Sequence, residues 1–420
     1  MSLDNAPIRR RLLFLVPFPP RLDGTHGGSR AIAQLLLHLA SRHDIALLYL
    51  RASDEPCLDQ ALAAVCAVAE EVQRPLRARS AFRRLIHPVR IWSSLLLCRP
   101  PWVTDWAVPA FAASVRTLVR TWRPDIVHIE FQIMAQYTPA LSGSVAPQVL
   151  TVHEPATQAT AEMRRLGLSA GRCFPAFEQR AWHHYERKIF ARVQTVVVFT
   201  EADRQVLAPL SPRTTIACIP LGTPLPEQAL SPYGGEPPGI VFVGSFVHPP
   251  NLDAVLRLVH TIMPQLWTRF PELRLTIVGE RPPPSLHRQV DRRVRITGRV
   301  PDVTPYLDDA AVVVIPLRFG GGMRVKVLEA LAAGKAIVAS PRSAMGLDLK
   351  NGEQIILVEE DDEFVEAISE LLADKERRAA IATQARAMAM THLGWNAAVR
   401  SYETLYAQLS ADQLRDGNYR

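Results

Sequence analysis

Cysteine is scarce in this 420-residue chain. Cys57, Cys66, Cys98, Cys173 and Cys218 are odd in number and contain no C-x-x-C pair. That argues against a disulfide framework or a zinc site and for a reducing, cytoplasmic compartment. Long apolar runs are missing too, and none approaches the roughly 18 residues that a membrane span needs. Arg9-Arg10-Arg11 before Leu12 to Val16 imitates a signal peptide. The apolar part is too short, however, and runs into Pro17, Pro19 and Pro20, so a first buried strand is expected there. Repeats and low-complexity tracts are absent. No helix-turn-helix, zinc or RNA-binding signature accompanies the net charge of +7, so nucleic acid is not an expected partner. What is present suits a globular protein, with 48% hydrophobic and 21% charged residues over a length that exceeds one ordinary core.

Short apolar runs alternate with helical patterns along both halves. The first half offers strands at Leu12 to Val16, Ile45 to Leu50, Ile126 to Ile129, Val149 to Val152 and Thr195 to Phe199. The second offers Ile240 to Val243, Leu273 to Val278, Val294 to Thr297, Ala311 to Ile315, Ala336 to Ala339 and Ile355 to Val358. Helices fit between them, at Ser29 to Ser41, Leu252 to Arg269 and Phe364 to Leu372 for example. This alternation predicts an α/β protein of two doubly wound, Rossmann-like parallel sheets. The Pro/Gly-rich stretch Pro220 to Gly239 separates them, and a ligand cleft is expected beyond the carboxyl ends of the strands.

The densest motif is Phe319-Gly320-Gly321-Gly322-Met323-Arg324-Val325-Lys326-Val327-Leu328-Glu329-Ala330. It follows a buried-strand pattern and opens a helical one that runs to Ala333, with Gly334 where a C-terminal cap belongs. Glycines between strand and helix let backbone amides approach a ligand. Arg318, Arg324 and Lys326 crowd a helix N-terminus, where the macrodipole disfavours each cation by about a few tenths of a kcal/mol. A bound diphosphate would reverse that penalty. Without one, the segment is a solvated basic turn in which Lys326 and Glu329 form an i,i+3 pair. Other strand ends carry Gly244-Ser245, Gly279-Glu280, His153-Glu154 and, after a proline-rich loop, Gly27-Gly28-Ser29. All fall where a ligand of parallel sheets would lie.

Val241-Phe242-Val243-Gly244-Ser245, Pro250-Asn251, Ile277-Val278-Gly279, Gly298-Arg299-Val300-Pro301-Asp302-Val303, Pro316 to Gly322 and Lys326 to Ala330 follow in order over roughly residues 238 to 375. This series resembles the C-terminal domain of retaining GT-B glycosyltransferases of the family-4-like group (glycosyl transferases group 1). The first half is similar more loosely, through Gly27-Gly28, Thr151-Val152-His153-Glu154 and Ile219-Pro220-Leu221-Gly222. The resemblance implies an acceptor-side domain over 1–222, a linker over 223–238 and a nucleotide-sugar domain over 239–390. A terminal helix over 391–420 would return towards the first domain.

It further implies retaining transfer of a sugar from a nucleotide-diphosphate sugar to a glycan or lipid-linked acceptor, without metal or cofactor. Glu329 matches the glutamate that holds the ribose hydroxyls. The family's first glutamate would fall on Gly321, as in a glycine-rich branch of the family, and the usual cations after Gly244-Ser245 are missing. Arg324 and Lys326 therefore take over the diphosphate. The sequence leaves open which of them touches it, and Lys326 beside Leu328-Glu329 is the better match. Amides of Gly320, Gly321 and Gly322 would meet sugar hydroxyls. His153 would contact the donor sugar, with Glu154 as a candidate partner, and Gly27-Gly28 would approach the diphosphate. Asp308-Asp309 reads as solvated surface or cap. A nucleotide-sugar epimerase or hydrolase of the same fold, and a non-catalytic binding protein, remain alternatives.

From Val72 to Thr104 no acid occurs, but Arg74, Arg77, Arg79, Arg83, Arg84, Arg90 and Arg99 do, interleaved with Trp92 and several leucines. That pattern fits either an anionic membrane surface, met by a peripheral protein, or a helical lid with solvated arginines.

Overall fold

The computed structural model describes residues 8–24, 27–75, 91–165, 174–288, 290–320 and 324–417. Residues up to Gly24 and from Gly28 to Pro220, with the chain from Ala398 onward, form one compact unit, and Leu221–Ala397 form a second.

The first unit is built on seven parallel strands: β1 (Arg11–Val16), β2 (Asp44–Ala52), β3 (Val68–Arg74), β4 (Ile126–Glu130), β5 (Gln148–Thr151), β6 (Thr195–Val198) and β7 (Thr215–Cys218). Their order is β3-β2-β1-β4-β5-β6-β7. The second unit has six: β8 (Gly239–Val243), β9 (Arg274–Val278), β10 (Val294–Gly298), β11 (Val312–Ile315), β12 (Ala336–Ala339) and β13 (Ile356–Leu357), ordered β10-β9-β8-β11-β12-β13. Parallel strands covered by helices are buried on both faces, which is why β11 and β12 read as unbroken Val/Ile/Ala runs and β1 and β6 are apolar after their first residue. Each sheet reverses its winding once, between β1 and β4 and between β8 and β11. Ligands of such sheets collect at that switch point, beyond the strand ends.

Two strands have no counterpart among the sequence expectations. β3 (VAEEVQR) and β7 (TIAC) are the edges of the first sheet and are half exposed, so neither needs an apolar run. Val72 to Arg74, grouped by sequence with the basic lid, are therefore strand. The Arg74 guanidinium pairs with Glu55 at 3.2 Å and lies 4.3 Å over the Trp106 ring. Arg99 donates to Gln136 Oε1 at 2.8 Å. Arg77, Arg79, Arg83, Arg84 and Arg90 lie outside the described residues. The helix expected over Leu252 to Arg269 runs from Pro249 to Arg269 with a π-helical turn at Leu258–Ile262.

The Pro/Gly-rich stretch is packed rather than a free tether. Leu230 N–H bonds Ala333 O at 2.9 Å, and the fully buried Lys335 ammonium donates to Ser231 O. Asp308 and Asp309, exposed at a helix end as expected, also anchor the stretch: Asp308 Oδ1 accepts Ser231 N–H at 2.8 Å and Asp309 O accepts Gly235 N–H at 2.8 Å. The C-terminal helix Trp395–Gly417 inserts Val399, Tyr402 and Tyr406 into the interior of the first unit.

Candidate active site

In the second unit the loops after β8, β9 and β11 meet at the switch point. Gly244 N–H bonds Val278 O at 2.9 Å, and a Cβ on Gly279 would stand 2.0 Å from Gly244 O. Only glycine allows these two turns to touch. Ser245 Oγ donates to Glu280 Oε1 at 3.0 Å, while Asn251 Nδ2 donates to Ser245 O at 2.6 Å. Gly320 adopts φ +102°, and a Cβ there would sit 2.7 Å from Pro250 Cγ, so glycine is required on two counts. Gly321 and Gly322 lie outside the described residues.

Three cations reach this rim, and the structure separates them. Arg318 pairs with Asp253, its Nε 2.9 Å from Oδ2. Arg324 is buried in a left-handed conformation (φ +48°) at the start of the helix Val325–Ala333. Its Nε donates to Met345 O at 3.3 Å and its Nη1 to Gly320 O at 3.4 Å, so it braces the loop. Lys326, half buried, donates to Asn251 Oδ1 and lies 5.2 Å from the centroid of the Phe242 ring. Both partners are neutral. Burial first, then the Arg324 charge, lowers the Lys326 ammonium to about 7, against a partial offset from Glu329 one helical turn on. An ammonium held short of charge compensation at a helix start is suited to an arriving anion.

In the first unit, β1 leads to Gly27-Gly28 at the start of the helix Gly27–Ala40, whose first turn has no acidic residue. Ser29 Oγ donates to Pro19 O at 3.2 Å and accepts Arg21 N–H at 3.1 Å, folding the proline loop onto that start. His153, just past β5, is buried. Its carboxylate partner is Glu130, not Glu154: His153 Nε2 lies 2.7 Å from Glu130 Oε2. Glu154 instead offers its carbonyl to Gln132 Nε2 at 2.6 Å. Glu130 also lies 3.2 Å from His128 Nε2. Burial alone would raise its carboxyl, but hydrogen bonds from His128 and His153 hold it below the ordinary carboxylate range. The sequence reading passed over Glu130 and His128, and it named Asn251 in a motif without its bond to Lys326. The visible signal was His128-Ile129-Glu130, two polar groups on one side of a strand that is buried throughout.

Comparison with known proteins gives this geometry a family. A model of "Glycosyl transferases group 1" matches residues 237–374, and a model of "Glycosyltransferase Family 4" matches residues 25–225. A phosphatidyl-myo-inositol mannosyltransferase of Mycolicibacterium smegmatis is 27% identical over 71% of this chain and 75% of its own. That of Mycobacterium tuberculosis is 31% identical over 34% of this chain and 38% of its own. Among solved structures, a sucrose-phosphate synthase from Thermosynechococcus elongatus superposes with TM-score 0.67 at 16% identity, covering 96% of this chain and 100% of that one. HepE from Anabaena, solved with UDP and glucose, gives 0.62 at 16% identity over 94% and 99%. At these identities the structures establish a shared GT-B fold. With one family model on each unit, the chain belongs to the family-4-like, group 1 glycosyltransferases.

Proposed function

We propose that this glycosyltransferase moves a sugar from a nucleoside diphosphate sugar to a lipid-linked or surface-glycan acceptor at the cytoplasmic face of a membrane, with retention and without a metal. The observation that carries the reading is Lys326, a half-buried ammonium at a helix start whose contacts are an amide oxygen and a ring. As the glycosidic bond lengthens, negative charge grows on the leaving diphosphate. A preorganised cation and amides answer it without rearrangement, and one lost donor of this kind typically costs about 2.7–4 kcal/mol. We assign Lys326 to the diphosphate, Glu329 to the ribose hydroxyls, and the Gly320 to Gly322 amides with Gly244 and Ser245 to the donor. Arg324 supports the loop, Gly27-Gly28 approaches the diphosphate, and His153 faces the sugar.

The acceptor class draws on exposed apolar groups of the first unit. Leu96 and Leu97 are 72% and 80% exposed, and Trp92 packs edge-on against Phe177, itself exposed. Beside them Arg180, His183, His184, Arg187, Lys188 and Cys98 line a cavity of about 750 Å³. Apolar groups next to a cationic helix face suit an anionic lipid surface. Among the described residues no helix is long and apolar enough to cross a membrane.

A thermal-shift screen against UDP-, GDP- and ADP-sugars tests the donor, since a ligand at 100 times its dissociation constant stabilises by about 2.7 kcal/mol. The matched donor is then incubated with lipid acceptor and a chelator, and the product's anomeric coupling is read by NMR. A glycosylated acceptor with the donor's anomeric configuration, formed at full rate, is the expected result. Free or epimerised sugar instead would make the chain a hydrolase or epimerase, and a rate lost to the chelator would overturn metal independence.

A further inference from the structure

Glu130 and Phe131 leave β4 as neighbours, and both touch His153. Glu130 Oε2 is 2.7 Å from His153 Nε2. The Phe131 ring lies parallel to the imidazole at a centroid distance of 3.8 Å and an interplanar angle of 4°, and Phe199 closes the edge at 5.2 Å. Phe131 reaches that position through φ +68°, a conformation that non-glycine residues rarely adopt and that clusters at functional sites. Behind Glu130 stands a second histidine. His128 Nδ1 lies 2.8 Å from the Tyr406 hydroxyl, and its Nε2 faces Thr151 Oγ1 at 2.7 Å and Glu130 Oε1 at 3.2 Å. An ionised carboxylate only accepts, so the His153 proton sits on Nε2. His153 Nδ1 is then left buried, with no partner among the described residues.

We propose that Glu130 is a positioning residue of this glycosyltransferase. It fixes the His153 ring, stacked on Phe131, with the proton on Nε2, so that Nδ1 accepts a hydrogen bond from a hydroxyl of the sugar substrate. The proposal rests on the assignment of His153 to the sugar. It adds the group that selects the tautomer and the ring that fixes the plane. No proton is transferred, and the role is to keep an acceptor aimed where water would otherwise compete.

The test uses the full-length enzyme and the variants Glu130→Gln, His153→Ala and their combination. Glu130→Gln preserves shape and removes charge. We expect kcat to fall about tenfold to a hundredfold, the scale of one lost hydrogen bond to a charged group, with donor KM within about threefold. Because Glu130 acts through His153, the double variant should be no slower than His153→Ala alone. Multiplied losses would overturn the proposal, since Glu130 would then act elsewhere. A wild-type rate in His153→Ala would remove the His153 assignment itself, a distinct failure. If Glu130→Gln does not fold, the wild-type protein decides: long-range ¹H–¹⁵N spectra should place the His153 proton on Nε2, and a proton on Nδ1 refutes the idea.

Discussion

Lys326 and Arg324 are two residues apart, yet they occupy opposite kinds of position. Arg324 is tied to two carbonyls, whereas Lys326 has found only neutral partners. Replacing Lys326 by Met should therefore abolish nucleotide diphosphate binding in calorimetry while leaving the fold intact. Replacing Arg324 by Ala should loosen the loop and lower stability as well as affinity. Proton linkage gives a second readout. The lysine is charged in the unfolded chain up to its ordinary 10.5, but in the fold it loses its proton near 7. Between those values the unliganded protein binds fewer protons than the unfolded chain, so this group makes stability rise with pH across that window. A bound diphosphate should return the proton. Titration at pH 8 in buffers of different ionisation enthalpy should then show proton uptake, absent in Lys326→Met. Glu329→Ala should weaken the nucleotide by about 1.5–3 kcal/mol without changing the melting temperature, as removing a ribose-holding carboxylate requires.

At the scale of elements, the turns after β8 and β9 touch only because both lack side chains. Gly279→Ala places a Cβ 2.0 Å from Gly244 O, a backbone atom that cannot swing aside. Chemical denaturation should show a loss of about 1–3 kcal/mol or more, together with lost nucleotide binding. Gly239→Ala is the control, because its Cβ would meet nothing closer than 3.7 Å. Legibility follows the same physics. Buried parallel strands must be apolar throughout, so all eleven expected runs are strands, and the helix ending at Ala333 is capped at Gly334 (φ +70°) as glycine chemistry predicts. The edges β3 and β7 escaped because an edge need not be apolar. The Glu130–His153 pair spans 23 residues of sequence and two strands, and Lys326–Asn251 spans 75. Spacing along a chain carries no trace of such meetings, which only strand order creates.

At the scale of the whole molecule, two of the seven arginines that suggested a membrane are engaged within the first unit: Arg74 with Glu55 and Trp106, and Arg99 with Gln136. The surface cations of Phe174–Phe190, beside Leu96 and Leu97, take over the argument. Each basic group near an anionic surface contributes about 1 kcal/mol, fading within a Debye length of about 10 Å at 0.1 M salt. Wild-type protein should co-sediment with anionic but not neutral vesicles and be released by high salt. Arg180, Arg187 and Lys188 changed together to Ser should weaken this attachment, as should Leu96 and Leu97 changed to Ser. Equal binding by all three proteins would remove that surface from the argument.

The placement of Tyr402 and Tyr406 inside the first unit has a consequence for synthesis. All seven strands of that unit have been made once Cys218 is joined, but Tyr402 and Tyr406, which fill its interior, follow only after the second unit's Ala397. At roughly 5–20 residues per second, the nascent sheet waits on the order of 10–40 s with His128 lacking its tyrosine and apolar surface bare. The second unit has no such debt and can close first, reversing the usual order in which domains mature on the ribosome. Released chains ending at Ala397 should therefore show a protease-resistant second unit beside a first unit that is still cut.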